Sequence, residues 1–175
     1  MKMRHLTFIL IIALLASGIE ARKKKDKGNL SVNASVSIYD PPGNTSTALL
    51  FEVAARYTFT SKIVGELSLG WTQYSDNGQT VTMMPVQLNS EFHPLGQSLL
   101  IDPYAGMGVG AYITQTGEET DVSAGLQALT GVSIKAKSGI SISFEVKYML
   151  TDISDFDSGS VTFGGGIEGS WSTDL

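Results

Sequence analysis

Nine ionisable side chains recur at alternate positions within segments that otherwise alternate apolar with small polar residues. They are Glu52, Arg56, Glu66, Glu91, His93, Lys135, Glu145, Lys147 and Glu168. Five carboxylates, three cations and one imidazole on one face of extended segments can form ion pairs or line a small-solute path or pocket. If the segments on either side of Ser61-Lys62 fold back symmetrically, Arg56 and Glu66, each five residues from Ser61, stand opposite each other as a cross-strand ion pair. A second group, Asp76, Glu118, Glu119, Asp121, Asp152, Asp155 and Asp157, clusters with Asp40 in segments without a basic residue. Such carboxylates could hold Mg²⁺ or Ca²⁺. Asp155-Phe156-Asp157-Ser158-Gly159 matches part of a calcium loop, but Gly166 stands where the closing Glu belongs, so solvated acids are the reading preferred here.

Nucleophilic chemistry has little to draw on. The chain has no cysteine, which removes thiol catalysis, disulfides, Cys-based zinc fingers, iron–sulfur clusters and a cysteine lipid anchor. Its two histidines are His5, in the apolar N-terminal segment, and His93. A His-dependent site among the acidic loops is therefore not available, and the sequence reads as non-enzymatic with no cofactor. A net charge of −5 and a pI near 4.9 argue against nucleic acid as a partner.

The elements that position these residues follow period two. Strand-like alternation runs through 30–38, 49–59, 63–72, 84–93, 103–113, 122–134, 140–150 and 161–171, with no convincing helix after the N-terminus. Short turns fall at Ser61-Lys62 and Lys137-Ser138-Gly139, and longer loops at 40–46, 74–80, 115–121 and 151–160. Eight strands joined in sequence predict an all-β, eight-stranded antiparallel up-and-down barrel.

The residue types decide which face points outward. The apolar face of all eight segments lacks Asp, Glu, Lys and Arg, as required beside lipid, where a charge costs about 2–4 kcal/mol at the bilayer midplane. The other face is mostly Gly, Ser, Thr, Asn and Gln, the composition of a packed lumen. Phe51, Tyr57, Phe59, Trp71, Phe92, Tyr148, Phe163 and Trp171 sit near segment ends on the apolar face, where interfacial girdles belong. Strands of about 11–13 residues, rising about 3.3 Å each and tilted about 40°, span roughly 28–33 Å, enough for an apolar band of about 25 Å. A transmembrane barrel follows; the alternative is a secreted, soluble lipocalin-like ligand-binding barrel with the faces reversed.

The N-terminus fits export. Lys2, Arg4 and His5 precede an apolar run from Leu6 to Ala16, and Gly18 and Ala21 offer small-residue cleavage sites. The expected organisation is a signal peptide over 1–21, a basic linker over 22–28 and a barrel domain over 29–175. Arg22, Lys23, Lys24, Lys25 and Lys27 directly after the apolar run oppose translocation to some degree. Residues 1–28 hold seven of the 12 Lys/Arg and two of the 17 Asp/Glu, leaving the barrel five basic and 15 acidic residues, net −10.

Pro103-Tyr104-Ala105-Gly106-Met107-Gly108-Val109-Gly110-Ala111-Tyr112, with Met84-Pro85-Val86-Gln87-Leu88-Asn89 ahead of Phe92, resembles the small outer-membrane β-barrel family of Gram-negative bacteria, the group of OmpX-, OmpW- and OmpA-type barrels. The resemblance covers about residues 29–172, and its motifs speak to fold more than to activity. It implies residence in the cell outer membrane, contact with outer-membrane lipids and lipopolysaccharide, and insertion by the barrel-assembly machinery. The chain departs from the family at its end, where Trp171 is followed by Ser172-Thr173-Asp174-Leu175 instead of a terminal aromatic residue.

With short turns and termini at the periplasmic side and longer loops outside, the acidic group forms an outer rim that could bind divalent cations bridging lipopolysaccharide phosphates. The nine ionisable residues become a lumenal network concentrated toward the periplasmic floor. Gly70, Gly108, Gly110, Gly125, Gly164 and Gly166, with Tyr112, Gln127 and Met149, line the upper lumen, which predicts a cup. The expected role is mainly structural or surface-exposed. Two readings of the lumen remain side by side: paired charges that only fill it, or a narrow small-solute channel or pocket gated by those pairs.

Overall fold

The computed structural model describes residues 29–43, 45–97, 100–136 and 139–172, with side chains up to Ser170. The predicted signal peptide, the basic linker, the core of the turn at 137–138, the Trp171 side chain and the last three residues lie outside the described part. Eight strands follow one another: β1 (Asn29–Asp40), β2 (Ala48–Thr60), β3 (Ile63–Asp76), β4 (Gln79–Phe92), β5 (Ile101–Thr116), β6 (Glu119–Lys135), β7 (Ile140–Leu150) and β8 (Gly159–Ser172), with one 3-10 turn at Phe156–Ser158. Each strand pairs antiparallel with its sequence neighbours, and β1 pairs with β8, from Asn29 opposite Ser172 to Asp40 opposite Val161. The sheet closes and leaves no edge over that length.

The alternation in sequence becomes the alternation between lipid and lumen. Val53, Leu69, Met107, Phe163 and Ile167 point outward with 58–72% of their surface exposed, and Ser68, Gln87, Asn89, Glu91 and Lys147 point inward at 2% or less. A soluble lipocalin-like barrel would reverse these faces and is thereby excluded. The outward aromatics cluster, with Phe51 on β2 6.3 Å from Trp71 on β3 and, along β2 itself, Tyr57 4.9 Å from Phe59 between ring centroids. Leu150, expected outward, is instead buried. The chain beyond it leans against β6, where the Ile153 amide donates to the Ala124 carbonyl at 2.9 Å.

Two of the expected outer loops are strands. The segments 74–80 and 115–121 continue β3–β4 and β5–β6 to two-residue turns at Asn77-Gly78 and Gly117-Glu118. Asn77 and Gly78 adopt φ of 49° and 80°, the left-handed pair that an Asn-Gly hairpin turn requires. Above the lipid band the outward residues turn polar, so the apolar alternation fades while the hydrogen-bonded ladder continues. The wall formed by β3–β6 therefore stands taller than the wall formed by β7, β8, β1 and β2.

Candidate functional site

The lumen is filled at two levels. Toward the short turns, Arg56 on β2 is the centre: its guanidinium donates to Glu91 on β4 and Glu168 on β8, and its Nε lies 3.4 Å from Glu66 on β3. The register places Arg56 opposite Glu66 as expected, but through a bulge and not a symmetric hairpin: Thr60 pairs with Ile63 across the Ser61-Lys62 turn, and the register shifts by one residue before Thr58 meets Val64. His93, just past the end of β4, is clasped between Asp102 on β5 (Nδ1 to Oδ2, 3.0 Å) and Glu91 (Nε2 to Oε2, 3.1 Å). Two carboxylates that only accept hydrogen bonds on opposite sides of one ring require a proton on each nitrogen, or a protonated carboxyl. Tyr104 stacks on His93 at 5.3 Å, lies 5.8 Å from the Arg56 guanidinium carbon and donates its hydroxyl to Glu145 at 3.1 Å.

Next above the floor, Lys147 on β7 donates to Glu52 at 3.0 and 3.2 Å and to the Gln87 side-chain carbonyl at 3.1 Å, with Glu145 at 3.7 Å. Gln87 in turn donates to the Tyr112 hydroxyl, which donates to Gln127 at 2.7 Å, and Asn89 donates to Glu66 at 2.9 Å. These neutral side chains tie the upper pair to the floor. The network thus rises to mid-barrel instead of stopping at the floor, because Glu52 and Lys147 lie eight or more residues from their turns. Removing a buried cation here strands its partners without water, which is why such pairs are strongly destabilising to break.

Above Lys147 the cup expected from the inward glycines is absent. Tyr39, Leu50, Met83, Tyr112 and Met149 form a cluster exposed by no more than 2% each, with Tyr74 packed against it 5.7 Å from Tyr39. The glycines do not leave space open; they admit neighbouring bulk. A Cβ at Gly70 would stand 2.8 Å from Pro85 Cγ and 3.2 Å from Leu50, and one at Gly110 would stand 3.1 Å from the Tyr112 ring. A lumenal cavity of about 30 Å³ lies against the small residues of β1 and β8, lined in part by Ser35, Ser37, Glu52, Arg56, Lys147 and Gly165. That is room for one or two water molecules.

The structure brings together Glu52, Arg56, Glu66, Glu91, His93, Glu145, Lys147 and Glu168. Lys135, also expected there, lies half-exposed at the end of β6 and joins no ion pair among the described residues. Asp102 belongs to the floor but was not foreseen. Its place two residues before Tyr104 on the same face was the available signal, masked by Pro103, which looked like the start of the strand. The lid residues Tyr39, Leu50 and Met83 share the parity of their polar strand-mates and were equally readable.

The acidic rim is dispersed. Glu118, Glu119 and Asp121 are exposed around the β5–β6 tip, and Asp76 is half-exposed at the β3–β4 tip. In the last loop, Asp155 accepts from the Asp157 amide at 3.0 Å, and Asp152 accepts from the Ser154 amide and hydroxyl at 2.8 and 2.6 Å. The Ser154 hydrogen bonds hold the Asp152 carboxyl below its usual range. Among the described residues no group of three or more His, Asp or Glu side chains is arranged to hold a metal ion.

This architecture recurs in known proteins. Neisserial surface protein A superposes with a TM-score of 0.66 at 12% identity, over 83% of this chain and 98% of that one. The N-terminal β-barrel domain of Pseudomonas aeruginosa OprF gives 0.63 at 14% identity, over 82% and 97%. The outer membrane enzyme PagL gives 0.51 at 13% identity, over 79% and 98%, so the fold alone does not separate enzymes from non-enzymes. No curated protein sequence matches the chain. The pattern of the family described as the outer membrane protein beta-barrel domain covers residues 8–167, and with the closed eight-stranded barrel and its lipid-type exterior this chain belongs to that outer-membrane family.

Proposed function

We propose that this protein is a non-conducting, non-enzymatic outer-membrane barrel, exported by its N-terminal segment, whose work is done by the surface it presents outside the cell. The observation that supports this reading is closure of the lumen at two levels, with a cavity of about 30 Å³ between strands and charges. Filling of this kind speaks for a lumen that does not pass a hydrated ion or small solute. Against catalysis, His93 is 2% exposed and both its nitrogens are engaged by carboxylates, with no hydroxyl nucleophile bonded to it. The partners proposed are outer-leaflet lipid and lipopolysaccharide around the barrel, the barrel-assembly machinery during insertion, and divalent cations shared between the acidic rim and lipid phosphates.

Planar-bilayer recording on the purified, folded protein tests this. Silence is expected from the unaltered protein. Steady single-channel steps that disappear on Lys147→Ala or Arg56→Ala would restore the small-solute channel. A rim that shares divalent cations with lipid should lose stability on EDTA treatment in lipopolysaccharide-containing membranes, and Asp155→Asn/Asp157→Asn should weaken that response.

A further inference from the structure

On the outer face of the tall wall, the register lines up four neutral polar residues across four strands: Gln73 opposite Thr82, Thr82 opposite Gln115 and Gln115 opposite Thr120. The Gln73 amide donates to the Thr82 hydroxyl at 3.5 Å, and the Gln115 amide donates to the Gly117 carbonyl at 3.3 Å. Two residues below them on the same face stand Trp71, Met84, Ile113 and Val122, with Trp71, Met84 and Val122 exposed by 45%, 38% and 63%. Lipid-facing surface therefore changes to an uncharged ledge in one step of about 5 Å along the membrane normal. Above the ledge, between the tips of the two hairpins, an open groove is lined by Gln79, Thr80, Thr82, Gln115, Thr116 and Gly117. The shorter wall has no counterpart, since β7 has ended at Leu150 and β1 at Asp40.

Depth and chemistry together select an occupant. A surface one step above the apolar band and continuous with it lies among lipid headgroups. Each Gln and Thr side chain both donates and accepts hydrogen bonds, which suits sugar hydroxyls. Phosphate recognition draws on Arg or Lys, which neither the ledge nor the groove contains, and the nearest charges are the acids Asp76, Glu118, Glu119 and Asp121 at the tips. We propose that this ledge and groove hold the saccharide headgroup of lipopolysaccharide, so that the tall wall orders the glycolipid beside it. The proposal rests on the lipopolysaccharide contact inferred above and gives that contact a location.

The test uses the full chain folded into nanodiscs of phosphatidylethanolamine and phosphatidylglycerol doped with rough lipopolysaccharide, with the lipids that stay with the protein quantified after detergent extraction. The unaltered protein is expected to retain lipopolysaccharide above its bulk fraction with EDTA present. Thr82→Val/Gln115→Leu is expected to lower that enrichment by about tenfold, the worth of one or two hydrogen bonds. Gln115→Glu, which adds a charge on the ledge with little change of shape, should lower it too, and heat-modifiable migration on a gel verifies that each variant is folded. Enrichment that survives both substitutions would overturn the ledge while leaving the lipopolysaccharide contact standing. No enrichment in the unaltered protein would overturn both, and enrichment abolished by EDTA alone would assign the contact to the acidic rim.

Discussion

The two halves of the lumen solve one problem by different physics. A barrel of eight strands must fill its interior with side chains, because its bore is too narrow to hold bulk water. The periplasmic half is filled by charge: Arg56 among Glu66, Glu91 and Glu168, and His93 between Glu91 and Asp102. The outer half is filled by Tyr39, Leu50, Met83, Tyr112 and Met149, whose packing against one another is mainly apolar, with the Tyr112 hydroxyl tied to Gln87 and Gln127. Charge demands particular partners and geometry, whereas the apolar lid demands volume. The floor should therefore fail when one group is removed, and the lid should yield in proportion to the volume lost.

The largest expected effect is at the floor. Arg56→Ala leaves the buried carboxylates of Glu66 and Glu91 and the half-buried Glu168 without their shared cation and is expected to cost about 3–5 kcal/mol, read as the shift in urea unfolding of the protein in lipid vesicles. Should Arg56→Ala cost no more than a lid substitution, the distinction between the halves would collapse. Met83→Ala in the lid is expected to cost about 2–3 kcal/mol, toward the lower end for a buried methionine. Restoring volume with Met83→Leu should recover most of it, by the same unfolding measurement.

The seam between β8 and β1 sharpens the picture at a third place. Gly164 faces the Ser37 side chain and the Val36 carbonyl too closely for a Cβ, so Gly164→Ala is expected to cost about 1–2 kcal/mol through overpacking. The midpoint of the heat-induced gel shift would measure it, with Gly43→Ala, beside open space but at φ of 82°, as the contrasting case where only backbone strain acts. The smallest effect belongs to the rim. Because the folded Asp152 carboxyl sits below its usual range, its contribution is present above the ordinary carboxylate range and is lost as pH falls through the folded value. Asp152→Asn should therefore lower the denaturation midpoint slightly at pH 7, with the difference from the unaltered protein shrinking in acid.

Much of this was legible in the residues themselves. Strict alternation in segments such as Leu30–Ile38 and Ile140–Met149 named the strands, and the absence of charge on one face named the lipid side. Counting five residues either side of Ser61 set Arg56 against Glu66, and a local bulge between Thr58 and Thr60 makes that pairing, since the Thr60–Ile63 closure alone would have brought Leu67 opposite Arg56. The hairpin tips were less legible because Gln73, Thr82, Gln115 and Thr120 carry no apolar alternation, although Asn77-Gly78 is itself a turn signal.

The sequence by itself determined the class of fold, the membrane-facing surface and which side chains enter the lumen, because a period of two assigns each residue to one of two faces whatever lies across the barrel. Beyond the Arg56–Glu66 hairpin pair, only the tertiary structure decided which inward residues meet. Arg56 reaches Glu168 and Lys147 reaches Glu52 across about a hundred residues of chain, and those meetings depend on closure between β1 and β8 and on the stagger of every strand pair. The same stagger carried Tyr39, Leu50, Met83, Tyr112 and Met149 to one height. Alternation has no term for height, so the sequence implied a cup and the closed barrel has a lid.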